Sequence, residues 1–360
     1  MFRSTVNVGE VFFHESWDIN WFGDILDLAP DNCIALLDMN FAESQKGLEI
    51  QKYFENFEII DTHHEPTTTQ VDRVFHHLKG KFGLDIDSTL IAFGGGAVLD
   101  ICKAVSNLCG NNGGAADFQG WDLLENPGCR KIGVPTLFGT GAESSRTCVM
   151  LNPVTNVKLG MNSNFSVFDT LIVFPELCES VSREQKFYTA MDSFIHSFES
   201  LEGSYRSPLA DYLSTAVIST IENVFTHEDW ETKANHTKLA TASYFGGVSI
   251  NSSYVGLVHP ISAALSGLYG LPHCLSNCIA MHAVEDFYPV YFQKFFKMVS
   301  ATQIKIPHLC EFAEKRPSVE NFMELVLVHE KPLINAMGAR YEKILNKNRF
   351  KDIISALWSV

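Results

Sequence analysis

Asp192 and His196 stand at positions i and i+4 of Met191-Asp192-Ser193-Phe194-Ile195-His196. On a helix that spacing puts the carboxylate and the imidazole on one face, a turn apart. Together they make half of a divalent metal site. Alone, such a pair is more often a helix-start acid beside a satisfied core histidine. Its company changes the reading. His259, before Pro260, and His273, after Pro272, are separated by an interval that suits a helix end, a turn and the start of the next helix. Three imidazoles and one carboxylate leave a bound divalent ion net positive and able to take a substrate oxygen, as a Lewis-acid site requires.

Two glycine-bearing loops offer a second chemistry. In Phe93-Gly94-Gly95-Gly96-Ala97-Val98-Leu99-Asp100, glycines let the backbone approach a diphosphate, and a following helix N-terminus supplies open amides and a positive dipole. The run is not G-x-G-x-x-G, and a tight strand-to-helix turn explains it equally well in isolation. Pro135-Thr136-Leu137-Phe138-Gly139-Thr140-Gly141 adds hydroxyls and amides able to hold phosphate or ribose oxygens. Gly95, Gly96, Ala97 and Asp100, with Thr136, Leu137 and Thr140, are therefore the candidate cofactor contacts, for a dinucleotide lying across strand ends. Asp38, ending an apolar run, is placed to accept from ribose hydroxyls and would repel a 2′-phosphate, favouring NAD over NADP. Lys158 is a candidate cation for the nucleotide, against its reading as a solvated surface lysine.

The elements that must position these groups follow from the patterning. Thr5–Gly9, Asn32–Asp38, Ile59–Asp61, Thr89–Phe93, Lys131–Pro135 and Thr170–Phe174 read as strands, with a helix over Val71–Lys79. Such alternation predicts a parallel, helix-covered sheet. After Pro175 the texture turns helical, over Ser182–Leu201, Leu209–Phe225, Lys233–Ser249 and Val258–Leu268. The division falls at Phe174–Pro175: an α/β dinucleotide-binding domain over residues 1–174 and an all-helical metal-binding domain over 175–360. Asn321 to Val360 reads as further helix without readable chemistry.

The 360 residues are 46% hydrophobic and 19% charged, as in a well-packed globule. A net charge of −15 argues against nucleic acid or an anionic membrane as partner, while leaving room for a small anionic substrate. Nine cysteines without C-x-x-C spacing fit free thiols in a reducing compartment. With no signal-peptide pattern and no membrane-length apolar run, a cytoplasmic location is expected.

The ordered motifs resemble the iron-containing (group III) alcohol dehydrogenase family, related more distantly to dehydroquinate synthase and glycerol-1-phosphate dehydrogenase. Gly94–Lys103 matches its G-G-G-S-x-x-D-x-A-K loop, with Ala97 for serine and Cys102 for alanine. Pro135–Glu143 matches P-T-x-x-G-T-G-S-E, with Ala142 for serine. The family's metal ligands fall on Asp192, His196, His259 and His273, its cofactor acid on Asp38, and its Glu/Asn-Pro-Thr turn on Glu65-Pro66-Thr67. The resemblance runs from about Asn32 to His282. It implies a site in the cleft between the two domains, NAD, Fe2+ or Zn2+, a small alcohol substrate and a homodimer; the ligands alone also admit Co2+ or Ni2+.

Two departures stand out. A second histidine usual in the family, four residues after His259 and thought to assist proton transfer, is Ala263 here, and the usual P-H-G is Pro272-His273-Cys274. Phe118-Gln119-Gly120-Trp121-Asp122-Leu123, with Met191–His196 and Glu199–Gly203, looks most like the branch containing 3-deoxy-D-manno-octulosonate (Kdo) 8-oxidase. That enzyme oxidises a sugar-acid hydroxymethyl group in lipopolysaccharide core modification; a packed loop is the plainer account of Gly120-Trp121. The expected activity is oxidation of a primary alcohol of a sugar or sugar acid. Alternatives are a lyase with internally cycling NAD, a generic short-chain alcohol dehydrogenase, or a non-catalytic binding protein. Neither Asp192–Gly203 nor His259–Asn277 carries the Lys or Arg such a lyase needs for a phosphorylated substrate.

Overall fold

A computed structural model describes residues 6–26, 33–227 and 229–358. Among these residues nine strands are formed: β1 (Glu10–Phe13), β2 (Cys33–Asp38), β3 (Asn56–Ile60), β4 (Thr89–Gly94), β5 (Gly120–Trp121), β6 (Arg130–Pro135), β7 (Thr147–Asn152), β8 (Val157–Asn162) and β9 (Thr170–Val173). Six make one sheet in the order β1-β9-β6-β4-β2-β3, every pair parallel.

The three central strands are nearly continuous in buried residues, as a sheet covered on both faces demands. Alternate side chains serve opposite faces. Leu36, Leu90 and Ala92 pack with Val71 and Leu78 of the helix Thr68–Phe82 and with Leu99 and Ile101 of the helix Gly96–Gly110. Leu37, Ile91 and Phe93 pack on the other side with Phe22, Ile50 and Phe54.

From β2 the chain runs outward to β3 on one side and to β4 on the other, so the order reverses between β2 and β4. Ligands of open α/β sheets bind outside the strand ends at such a reversal. Asp38 ends β2 and Gly94 ends β4 there. β5, ahead of β6, and the hairpin β7-β8, between β6 and β9, build a small second sheet in the order β5-β8-β7, which the apolar pattern did not announce.

The edge strand is a correction. Val6–Gly9 forms no strand, and Thr5 lies outside the described residues. Pairing begins at Glu10, opposite Thr170, where Glu10 N–H donates to Asp169 O at 3.1 Å. A long-range partner, not the local apolar pattern, sets this start.

After β9 the structure is helical. The helices Arg183–Glu202, Pro208–His227, Lys233–Ser252 and Val258–Tyr269 enclose a core that includes Phe194, Phe198, Ile221, Ile261 and Phe322. Ser182 caps the first, its hydroxyl accepting from Gln185 N–H. Among the described residues no helix is long and apolar enough to cross a membrane.

The loop after β6 ties sheet to helices. Ser193 Oγ donates to Gly139 O at 2.7 Å, and Gly139 N–H donates to Ser243 Oγ at 2.6 Å. Gly139 has φ +138°, and a Cβ there would lie 1.9 Å from Thr189 O. Glu143, on the same loop, accepts from Ser243 Oγ at 2.5 Å; burial pushes its carboxyl above the ordinary range, against that hydrogen bond. Buried Lys103 donates to Ala142 O at 2.7 Å and to Thr147 O, and faces Asp100 at 3.1 Å. Gly139→Ala should therefore cost about 3 kcal/mol, from strain and overpacking. Urea denaturation followed by tryptophan fluorescence measures this; an unchanged midpoint would show that the contact is not tight.

Candidate metal and dinucleotide site

Asp192 is fully buried on the helix Arg183–Glu202, with His196 one turn on. His259 comes from the first turn of Val258–Tyr269 and His273 from the first residue of His273–Ala280. Their Nε2 atoms surround the carboxylate: His196 at 3.5 Å and His259 at 3.3 Å from Oδ1, His273 at 3.5 Å from Oδ2. Donor atoms of Asp192, His196 and His259 all lie within 4.8 Å of one another. His273 Nε2 stands beside the other carboxylate oxygen, on the most exposed of the three rings.

Each candidate ligand has support. Glu199, further along the face that carries Asp192 and His196, accepts from His259 Nδ1–H at 2.6 Å and from Val258 N–H at 2.5 Å. One carboxylate thus orients the ring and caps its helix. Asn277 Nδ2 donates to Asp192 Oδ1 at 2.7 Å, and the Cys274 thiol approaches Oδ2 at 3.7 Å. His273 N–H donates to Glu65 Oε1 at 2.7 Å, while Lys158 Nζ pairs with Glu65 Oε2 at 2.6 Å. Glu65 precedes the Thr68–Phe82 helix, so it links the α/β half to a metal-side histidine.

The electrostatics fit a cation. Burial alone would raise the Asp192 carboxyl, yet the surrounding imidazoles hold it well below the usual range. Burial pushes His196 down to about 3 and His273 down to about 4, despite the carboxylate. For His259 the carboxylates of Glu199 and Asp192 outweigh burial, raising it to about 9. With Nδ1–H committed to Glu199, His259 Nε2 is left buried and without a hydrogen-bond partner. A divalent cation shared with the carboxylate would displace the Nε2 proton and take the lone pair so freed. The three-nitrogen, one-oxygen donor set suits Fe2+, Zn2+, Co2+ or Ni2+.

The histidines open into a cavity of about 1300 Å³ that continues to the ends of β2, β4 and β6. Asp38, Gly95, Gly96 and Ala97 line it, as do Asp100, Thr136, Leu137, Thr140 and Lys158. Gly95 precedes the Gly96–Gly110 helix without a side-chain cap, leaving its first amides to a ligand. Asp38 Oδ1 caps the next short helix through Asn40 N–H at 2.8 Å and accepts from Thr62 Oγ1 at 3.1 Å. Asp100 is engaged otherwise than expected: Lys103 and Val149 N–H hold its carboxylate, making it a brace for the loop. Lys158 is buried, so the surface alternative falls away.

Sequence reasoning missed Glu199's role and the cavity residues His329, Glu330 and Lys331. Glu199 had a readable signal in its helical spacing from Asp192 and His196. His329 had none.

Sequence models of the iron-containing alcohol dehydrogenase match residues 33–175, and of the family's C-terminal domain residues 186–322. The chain belongs to the iron-containing alcohol dehydrogenase family. The NAD-dependent methanol dehydrogenase of Bacillus methanolicus is 28% identical over 62% of this chain and 58% of its own. Sulfoacetaldehyde reductase of Bilophila wadsworthia is 28% identical over 59% of this chain and 54% of its own. The matched region thus spans little more than half the length of these curated relatives. In fold, the chain is similar to sulfoacetaldehyde reductase of Bifidobacterium kashiwanohense, solved with NAD+, at a TM-score of 0.78 and 17% identity over the full length of both.

Within this member of the family the Glu199 contact makes a direct prediction. Glu199→Gln keeps an oxygen for Val258 N–H but removes the charge behind His259, and should weaken Zn2+ binding about 10–100-fold. Competition with a chromogenic chelator reads this. Unchanged affinity would mean that His259 needs no carboxylate behind it.

Proposed function

We propose that the protein is a metal- and NAD-dependent oxidoreductase that oxidises a primary alcohol of a sugar or sugar acid, with the Kdo C8 hydroxyl as the candidate, to an aldehyde. The observation that carries the reading is the buried Asp192 with three imidazole nitrogens within 3.5 Å, facing the same cavity as the Gly95–Ala97 loop. Asp192, His196, His259 and His273 are the proposed metal ligands, and the division of the chain at Phe174–Pro175 is part of the proposal. A homodimer in the cytoplasm rests on the resemblance and composition alone.

Bound there, a divalent ion supplies the Lewis acidity that acidifies an alcohol and polarises a carbonyl, and NAD supplies the hydride acceptor. The chain's own residues do the positioning. The open amides after Gly95 and the hydroxyls of Thr136 and Thr140 hold the diphosphate, and Asp38 reads the ribose. Gly139, locked to Ser193 and Ser243, fixes the distance from cofactor loop to metal helix, which hydride transfer requires to be short and constant.

A polyhydroxylated acid suits the remaining wall. Trp121 and Tyr254 form an edge-to-face pair with centroids 4.9 Å apart, and Lys331 Nζ lies 4.1 Å from the Trp121 ring centre. Arg146, fixed by Asp122, adds a second cation to this wall. Aromatic faces suit sugar C–H groups, and cations suit a carboxylate.

Absorbance at the reduced-nicotinamide band tests the proposal. Protein loaded with Fe2+ or Zn2+ should reduce NAD with Kdo, and His259→Ala should abolish the signal. A rise with simple primary alcohols and none with Kdo would overturn the sugar-acid reading.

A further inference from the structure

Oxidising an alcohol sends a hydride to the cofactor and leaves a proton to be taken by a base. Setting aside the proposed metal ligands, the acidic and basic groups on the cavity wall are mostly committed. Glu65 is held by Lys158, Asp100 by Lys103 and Val149 N–H, and Asp122 by Arg146. Asp38 caps a helix at the ribose end, and Ala263, also on this wall, has no polar side-chain atom to offer.

His329 is different. It sits between the helices Val319–Leu327 and Glu330–Met337, on the wall of the same cavity as His259 and Lys158. Its backbone is fixed on both sides: its N–H donates to Val326 O and its carbonyl accepts from Leu333 N–H, each at 3.2 Å. Its imidazole makes no hydrogen bond to any described residue. The ring is thus anchored but has its nitrogens uncommitted.

We propose that His329 accepts the proton of the substrate hydroxyl and passes it to water at the mouth of the cavity. The step balances: the C–H electron pair goes to the nicotinamide C4, the O–H proton goes to an imidazole nitrogen, and the aldehyde remains. Burial, then repulsion from His259 and Lys158, holds this imidazole down to about 4. It is therefore neutral at physiological pH, with a lone pair available, and sheds a proton quickly. The charged groups around it are His259 and Lys158 on the wall of the same cavity, with Glu330 and Lys331 on its own segment.

The inference rests on the dehydrogenase reading but not on the identity of the alcohol. Zn2+-loaded wild type, His329→Ala and His329→Gln are compared with NAD and whichever alcohol in a panel including Kdo turns over fastest. Both variants should lose about 100-fold in kcat, with KM, melting temperature and bound Zn2+ unchanged. A kcat within about threefold of wild type in either variant would overturn the proposal. A second readout needs no turnover: diethyl pyrocarbonate should label His329 in the Zn2+-loaded wild type, and NAD with trifluoroethanol should protect it, as peptide mass spectrometry reads. Absence of labelling, or labelling indifferent to those ligands, would also overturn it. Turnover of simple alcohols without Kdo sinks only the sugar-acid reading.

Discussion

A carboxylate sealed from water among imidazoles is the constraint on which this structure turns. Asp192 is fully buried, and an uncompensated ion in such a place is disfavoured by several kcal/mol. Asn277 Nδ2 offers one hydrogen bond, and the three imidazole nitrogens stand too far off for good ones. A divalent cation would resolve this arrangement at one stroke, neutralising the charge and using the lone pairs of the neutral rings. The His259–Glu199 bond shows the geometry set up in advance, since it dictates which nitrogen of His259 is left to bind.

The second requirement is a fixed distance between that centre and the cofactor, and two contacts supply it. Gly139 is pressed against the Arg183–Glu202 helix at Thr189, with its own amide and carbonyl bonded to serines on two helices. Glu65 reaches from the α/β half to the amide of His273 and to Lys158 at once. The cofactor loops and the metal-side histidines are thereby parts of one framework. Reaction geometry tolerates little drift, so small, tightly bonded residues at these points serve catalysis as much as stability.

Much of this was legible because it is local. The i, i+4 spacing of Asp192 and His196 is a property of one helix, and the buried runs over Cys33–Asp38 and Thr89–Gly94 are properties of single strands. The glycine loops announced themselves by composition. What stayed hidden is long-range. The start of β1 is set by its pairing with β9, and the β5-β8-β7 sheet by segments with no clean alternation. Lys103, at the end of the matched glycine loop, is a buried brace that the sequence could not reveal, because its partners, Ala142 and Thr147, are distant in sequence. His329 lies in a stretch without motif and reaches the cavity only through packing of the C-terminal helices.

The central claim is that Asp192 and the three histidines bind one divalent ion. The most direct test is metal content by inductively coupled plasma mass spectrometry, on wild type and Asp192→Asn after equilibration with Zn2+ and desalting. Asparagine keeps the shape and removes the charge. The account predicts one tightly held equivalent in wild type and almost none in the variant. A full equivalent retained by Asp192→Asn, or none in the wild type, would contradict it.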